Sequence, residues 1–151
     1  MYKVIIAGCR DFSDYDLLKE RCDYYLSKKR QEDTVVILSG AAQGADALGE
    51  RYAQENGLAI ERHPADWKKN GRAAGPIRNA EMAKVADALI AFWDGKSKGT
   101  KSMIDLARRN NVPTRIVDFA SIEQRKAFDA ATSLFIETMN AKGFELEFSP
   151  L

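Results

Sequence analysis

The chain reads as an α/β protein built on a mainly parallel sheet of about five strands. Three observations predict this. Short β-branched runs alternate with segments of helical period, the order is strand then helix throughout, and the unusual residues gather just after the strands. Open α/β sheets place their ligand sites at the carboxyl ends of the strands, so that third pattern bears on function as well as fold.

The elements follow in order. Lys3 to Ala7 (K-V-I-I-A) is the first strand, and Ser13 is placed to cap a helix whose apolar positions Tyr15, Leu18, Cys22 and Tyr25 recur at helical spacing. Thr34 to Leu38 (T-V-V-I-L) is a second, buried strand. A helix from about Gly44 carries Ala45, Leu48 and Tyr52 on one face and ends at Asn56-Gly57, before a weaker third strand, Leu58 to Arg62. Gly75-Pro76 predicts a helix start with proline at the first position, where its missing N–H costs nothing. Ala88 to Trp93 (A-L-I-A-F-W) is a fourth strand, followed by a helix over Thr100 to Asn110 with Met103, Ile104 and Ala107 inward. Pro113 opens a fifth strand, Thr114 to Val117. In the tail, Ser121 and Gln124 form a capping box before Phe128, Ala131 and Phe135, and Gly143 ends that helix. Phe144 to Phe148 (F-E-L-E-F) alternates as a half-buried edge strand would.

Length and composition narrow the function. A chain of 151 residues suits a single domain with a real core. No apolar run is long enough to span a membrane, and the first strand begins too early to leave room for a signal peptide, so a cytoplasmic protein with no membrane partner is expected. Cys9 and Cys22 form no C-x-x-C pair, and with His63 the one histidine a structural zinc site is excluded; both thiols are expected to be reduced, and His63 is structural or on the surface. A net charge of +1 argues against a protein that coats DNA.

Four loops carry the chemistry. The first strand leads to G-C-R-D-F (Gly8 to Phe12), and the second to S-G-A-A-Q-G-A-D (Ser39 to Asp46), whose small residues let a phosphate approach the backbone at a helix start. The third leads to P-A-D-W (Pro64 to Trp67) and on to Arg78, and the fourth to D-G-K-S-K-G-T (Asp94 to Thr100). Neither glycine-rich loop has Walker A spacing, and the first turn lacks G-x-G-x-x-G, so ordinary ATPase and NAD-dehydrogenase readings fall. Lys68, Lys69, Arg72, Arg78, Lys96, Lys98 and Lys101 concentrate positive charge in the two later loops, as an anion site or a solvated surface would. About three positions into its expected helix, Arg78 sits where the helix dipole disfavours a cation by a few tenths of a kcal/mol, roughly, unless an anion completes the site; pairing with Asp66 is the structural alternative. Trp67 could stack on a nucleobase or anchor the core.

Taken in order, G-C-R-D-F, S-G-A-A-Q-G-A-D-A-L, P-A-D-W, G-P-I-R-N-A-E-M, A-F-W-D-G-K-S-K-G-T and M-I-D-L-A resemble the SLOG superfamily, and within it the small YspA-like branch, over roughly residues 1–118; the helix-strand extension 119–151 lies outside. The resemblance implies a Rossmann-like three-layer sandwich. It also implies a pocket for a nucleotide or nucleotide-derived ligand such as an ADP-ribose derivative, in a sensor or an N-glycosidic-bond hydrolase. Cytokinin-activating phosphoribohydrolases of that superfamily carry R-K-x-x-M, which resembles Arg78-Asn79-Ala80-Glu81-Met82, and P-G-G-x-G-T-x-x-E, of which Gly99-Thr100 match the G-T while Met103 stands in the glutamate's place. An oxocarbenium-like centre needs a carboxylate, for which Glu81, Asp46 and Asp105 are the candidates, with Asp11 a further substitute. DNA-processing protein A shares the Arg78-Asn79 helix start, and this supplies the alternative of a single-stranded DNA-binding module, for which the near-zero charge predicts weak affinity.

The expected ligand site therefore comprises Gly8, Arg10, Asp11, Ser39, Gly40, Gly44, Asp46, Trp67, Arg78, Asn79, Gly95, Ser97, Gly99 and Thr100. Arg78 and the Gly99-Thr100 helix start would hold phosphate, and Asp46 or Asp11 would meet ribose hydroxyls. No cofactor or metal is called for, and a homo-oligomer, such as a dimer, is expected.

Overall fold

The computed structural model describes residues 1–147. Its elements run β1 (Tyr2–Gly8), α1 (Tyr15–Glu32), β2 (Val35–Ser39), α2 (Ala45–Glu55), β3 (Ala59–Arg62), α3 (Trp67–Asn70), a 3-10 turn (Gly71–Ala73), α4 (Ala74–Val85), β4 (Ala88–Trp93), α5 (Lys98–Arg109), β5 (Thr114–Asp118) and α6 (Phe119–Ala141). The chain divides into two compact units, Met1–Val117 and Asp118–Leu151.

The first unit is a five-stranded parallel sheet of order β3-β2-β1-β4-β5. Register is set by pairs such as Val4 with Ile37 on one side of β1 and Val4 with Ala88 on the other. Central position explains composition: Val4, Ile5 and Ile6 of β1, Ile37 and Leu38 of β2, and Leu89 to Phe92 of β4 are all essentially inaccessible, as strands covered on both faces must be. Met82 and Ala83 of α4 and Met103, Ile104 and Ala107 of α5 share one apolar cluster with residues of these strands. On α2 the close approach rests on Gly49, where a Cβ would come within 2.7 Å of Ile6 Cγ2.

Most expected elements are present, and the differences lie at their ends. Asp14, not Ser13, caps α1, its carboxylate accepting the Leu17 N–H at 3.0 Å, because an ionised oxygen is the stronger acceptor. Leu58 falls outside β3 because its N–H closes onto the Ala53 carbonyl at the end of α2. α4 starts at Ala74 through the 3-10 turn, so Pro76 is its third residue, still among the N–H positions a helix leaves unpaired. Ser97 caps α5, which begins at Lys98 rather than Thr100.

In the second unit, α6 is capped by Asp118, which accepts the Ser121 N–H at 3.1 Å and the Ser121 hydroxyl at 2.9 Å. The expected Ser121–Gln124 box is thereby replaced, since the Ser121 hydroxyl is spent on Asp118. Phe128, Ala131 and Phe135, the apolar positions after that box, are exposed. Phe144–Glu147 form no strand; the Leu146 backbone pairs instead with the Asn140 side chain at 2.8 and 3.0 Å. Phe148 of that expected strand lies outside the described residues. No helix among the described residues is long and apolar enough to cross a membrane.

Candidate functional site

The chain fills the sheet from β1 outward through β2 to β3, then returns to lay β4 on the other side of β1, so the order reverses between β1 and β4. Loops leaving two neighbouring strands in opposite directions open a crevice at their carboxyl ends. A cavity of about 550 Å³ lies there, bounded by Gly8 to Asp11 after β1, by Asp94 and the start of α5 after β4, and by the start of α4. Met82 and Met103, both buried, contribute apolar lining.

Glycines bring these loops together. At Gly8 a Cβ would lie 2.2 Å from the Phe92 carbonyl oxygen, so β1 and β4 pack at this spacing only without one. At Gly44, φ is 76° and a Cβ would lie 2.3 Å from the Cys9 carbonyl oxygen and 2.5 Å from that of Arg10. The start of α2 is thus pressed onto the loop after β1, and the Ala45 N–H is taken by the Cys9 carbonyl at 3.2 Å. That contact uses the N–H that the sequence reading offered to a phosphate.

Arg78 is the centre of the site. It is half-buried on α4 and one turn beyond the helix start, so desolvation rather than the helix dipole bears on its charge, and burial lowers its pKa from the ordinary arginine value. Its Nη1 donates to the Gly40 carbonyl and its Nε to Asn79 Oδ1 at 2.9 Å, both uncharged acceptors. Asp66, the alternative partner, instead caps α3 by accepting the Lys69 N–H at 3.1 Å. Asp46 is the acid that opposes Arg78 electrostatically, and Arg10 adds a like charge. Asp46 is only 6% exposed; burial raises its pKa, against the lowering effects of the Ala42 N–H, which it accepts at 3.3 Å, and of Arg78.

The opposite wall is the turn into α5. Asp94 Oδ1 accepts the N–H groups of Ser97 and Lys96, each at 2.8 Å, and these bonds hold its pKa below the ordinary carboxylate value. Trp93 Nε1 donates to the Ser97 carbonyl at 3.1 Å, bracing the turn. Ser97 Oγ accepts the Thr100 N–H at 3.4 Å, and at Gly99 a Cβ would meet nothing, so open space faces that first turn. Cys9 lies 3.8 Å from the Thr100 hydroxyl, and burial pushes its thiol pKa up, which keeps it a protonated, weakly nucleophilic group.

Trp67 is 51% exposed at the rim, with its ring edge 3.4 Å from where a Gly75 Cβ would stand. The core-anchor alternative therefore gives way to a surface platform. Trp93 is the tryptophan that packs on the core.

Of the expected site, Gly8, Arg10, Asp11, Asp46, Trp67, Arg78, Asn79, Ser97, Gly99 and Thr100 line the cavity. Ser39, Gly40, Gly44 and Gly95 do not: Ser39 is wholly buried and donates to Glu50 at 2.7 Å, Gly40 and Gly44 shape the loops behind the cavity, and Gly95 serves the Asp94 turn. Nor do two of the three catalytic candidates. Glu81 is exposed on α4 outside the cavity, and Asp105 is engaged by Lys101 at 2.7 Å one turn along α5. Asp94 and Cys9 line it without having been named as site residues, and Lys98, read from sequence as part of the basic loops, lines it too; the Asp-Gly pair after the fourth strand was the available signal for Asp94.

Residues 2–70 match the YspA, cpYpsA-related SLOG family. The Gene 61 protein of Mycobacterium phage D29 is 32% identical over 123 residues, spanning 75% of this chain and 94% of its own. The chain belongs to this SLOG family. A solved X-ray structure, TM1055, superposes on 76% of this SLOG protein and 72% of itself with a TM-score of 0.55 at 20% identity, and so shows a shared fold. The family match takes in the loops after β1 and β2 and Trp67, whereas Arg78 and the Asp94–Thr100 turn lie beyond it.

Proposed function

We propose that this protein binds a nucleotide or nucleotide-derived ligand, of nucleoside phosphate or ADP-ribose type, at the carboxyl rim of its sheet. One observation carries the reading: among the described residues, a half-buried arginine in the switch-point cavity donates only to uncharged acceptors, with a second arginine beside it and one buried aspartate opposite. An anion between Arg78 and Arg10 satisfies charge that the chain itself leaves under-compensated, and charge-assisted bonds to phosphate are the stronger kind. The open first turn of α5 lies across the cavity, where a second phosphate oxygen gains from the helix end. Trp67 offers an exposed face for a base. Membership of the SLOG family supports the same class of ligand.

Hydrolysis of the N-glycosidic bond is the second reading, and Asp46 is what favours it. Of the carboxylates proposed from sequence Asp46 and Asp11 line the cavity, and Asp46 is the buried one, whose raised pKa suits an acid–base group. Otherwise the site serves as a sensor.

Thermal melting in AMP, ADP, ADP-ribose and NAD tests the binding. A ligand at about a hundred times its Kd adds about 2.7 kcal/mol, an upward shift of about 5–10 °C for a domain of this size. Arg78→Ala should remove most of the shift. Melting curves unmoved by all four at millimolar concentration would end the proposal.

A further inference from the structure

Glu50 lies on α2 one turn beyond Asp46 and outside the cavity, yet a chain of hydrogen bonds links it to Arg78. Its Oε2 accepts the Ser39 hydroxyl at 2.7 Å, and its Oε1 accepts Arg62 Nη2 at 2.8 Å and Nε at 2.9 Å. Burial works to raise the Glu50 pKa, but the Ser39 hydroxyl and Arg62 outweigh it and hold the carboxyl below the usual value, so the side chain is an ionised acceptor. The single Ser39 hydroxyl proton is therefore committed to Glu50. A lone pair of Ser39 Oγ is left to accept the Ala41 N–H at 3.0 Å.

The Ala41 N–H and the Gly40 carbonyl belong to one peptide group, and in a trans peptide they point in opposite directions. Ser39 holds one end of that group; the other end is the Gly40 oxygen to which Arg78 Nη1 donates. Without that hold the group has reason to turn over. Ala41 sits at φ of 57°, where a side chain is disfavoured, and rotating the peptide about its flanking bonds returns Ala41 to negative φ, while Gly40, with no Cβ, adapts readily. That rotation carries the oxygen away from Arg78. Asp46 takes the next N–H, that of Ala42, at 3.3 Å, so two carboxylates one turn apart on α2 hold successive residues of the turn, Asp46 directly and Glu50 through Ser39.

We propose that Glu50 is a positioning residue for the Arg78 site: through Ser39 it holds the Gly40–Ala41 peptide in the orientation that seats the guanidinium. Its effect on a ligand rests on the nucleotide reading of that site, whereas the seat itself rests on these hydrogen bonds alone.

Glu50→Ala, made in the full chain, tests this in two readouts. The Nε–H resonance of Arg78 in protein isotopically labelled at arginine, assigned by its loss in Arg78→Lys, should move. ADP affinity in a calorimetric titration should fall about tenfold, the loss expected where about nine molecules in ten carry the turned peptide. Adding Ala41→Gly should regain several-fold of that affinity, because glycine holds positive φ without penalty; a role confined to packing α2 gains nothing from it. Ser39→Ala, which cuts the link at its other end, is the second variant if Glu50→Ala does not fold. An unmoved Arg78 resonance, an unchanged ADP affinity or no recovery with Ala41→Gly overturns the positioning role and leaves the nucleotide reading standing. A parent chain that binds no ADP removes the nucleotide reading, and the Arg78 resonance then decides the positioning role by itself.

Discussion

Arg78 donates to the carbonyl oxygen of Gly40, and a Cβ on Gly40 would stand 2.6 Å from Arg78 Nη1 and 2.6 Å from Asp46 Oδ2. Glycine at this position leaves room for an acid from α2 and a guanidinium from α4 to face each other beyond the end of β2. Both obstructing atoms are the far ends of side chains, so Gly40→Ala is expected to fold at a cost of about 1 kcal/mol or less while displacing the guanidinium from its seat and abolishing the nucleotide-induced melting shift. At Gly44 the obstruction is backbone and φ is positive, so Gly44→Ala should lose about 2–3 kcal/mol in urea unfolding. A Gly40→Ala protein that keeps its full ligand response would show that the position of Arg78 does not matter.

The cavity's two partly or wholly buried aspartates should respond to pH in opposite senses. The pKa of Asp94 is lowered in the fold, so its stabilising contribution is present above the ordinary value near 3.8 and is lost as pH falls through the lower folded value. Asp46 has a raised pKa, so the folded state binds a proton more tightly than the unfolded chain, and stability declines as pH rises from about 3.8 through the folded value. Asp94→Asn should therefore be less stable than the parent at pH 7 and converge with it in acid, whereas the stability of Asp46→Asn relative to the parent should improve as pH rises. Urea titrations across pH 3 to 7, approximately, read both slopes, and parallel curves for the two variants would contradict the assignment.

If the protein cleaves an N-glycosidic bond, Asp46, Glu81 and Asp105 should separate cleanly. Asp46→Asn is expected to lower turnover by about 10²–10⁴. Glu81→Gln and Asp105→Asn, both outside the cavity, should leave it within about twofold. Chromatographic detection of released base provides the readout, and an Asp105→Asn variant as damaged as Asp46→Asn would count against the geometry of the site.

Binding of single-stranded DNA is the other use to which this rim could be put, since Lys68, Lys69 and Arg72 are exposed beside Trp67. With the chain close to neutral overall, we expect affinity weaker than about 1 μM near 150 mM salt and a steep loss as salt rises. Fluorescence anisotropy with a labelled oligonucleotide checks this; tight, salt-tolerant binding would favour the nucleic-acid reading.

Strand periodicity, glycine-bounded helices and the alternation of the two were enough, from the sequence alone, to predict a parallel sheet of about five strands with its unusual residues on one rim, because hydrophobic period and turn chemistry are local properties that each segment carries by itself. The SLOG resemblance, carried by motifs in fixed order, was legible for the same reason. Tertiary structure decided which candidates share a cavity. Glu81 and Asp46 were equal in the sequence, but the azimuth of α4 puts Glu81 in solvent while the press of α2 against Cys9 and Arg10 buries Asp46 opposite Arg78. Trp67 likewise stood open between base platform and core anchor until the structure placed it on a half-exposed rim. Which caps form depended on competition between adjacent acceptors, as at Ser13 and Asp14, and that is settled by the geometry of one helical turn rather than by composition. Burial, close approach and the strand order that opens a crevice depend on contacts between segments far apart in the chain, and no local pattern encodes them.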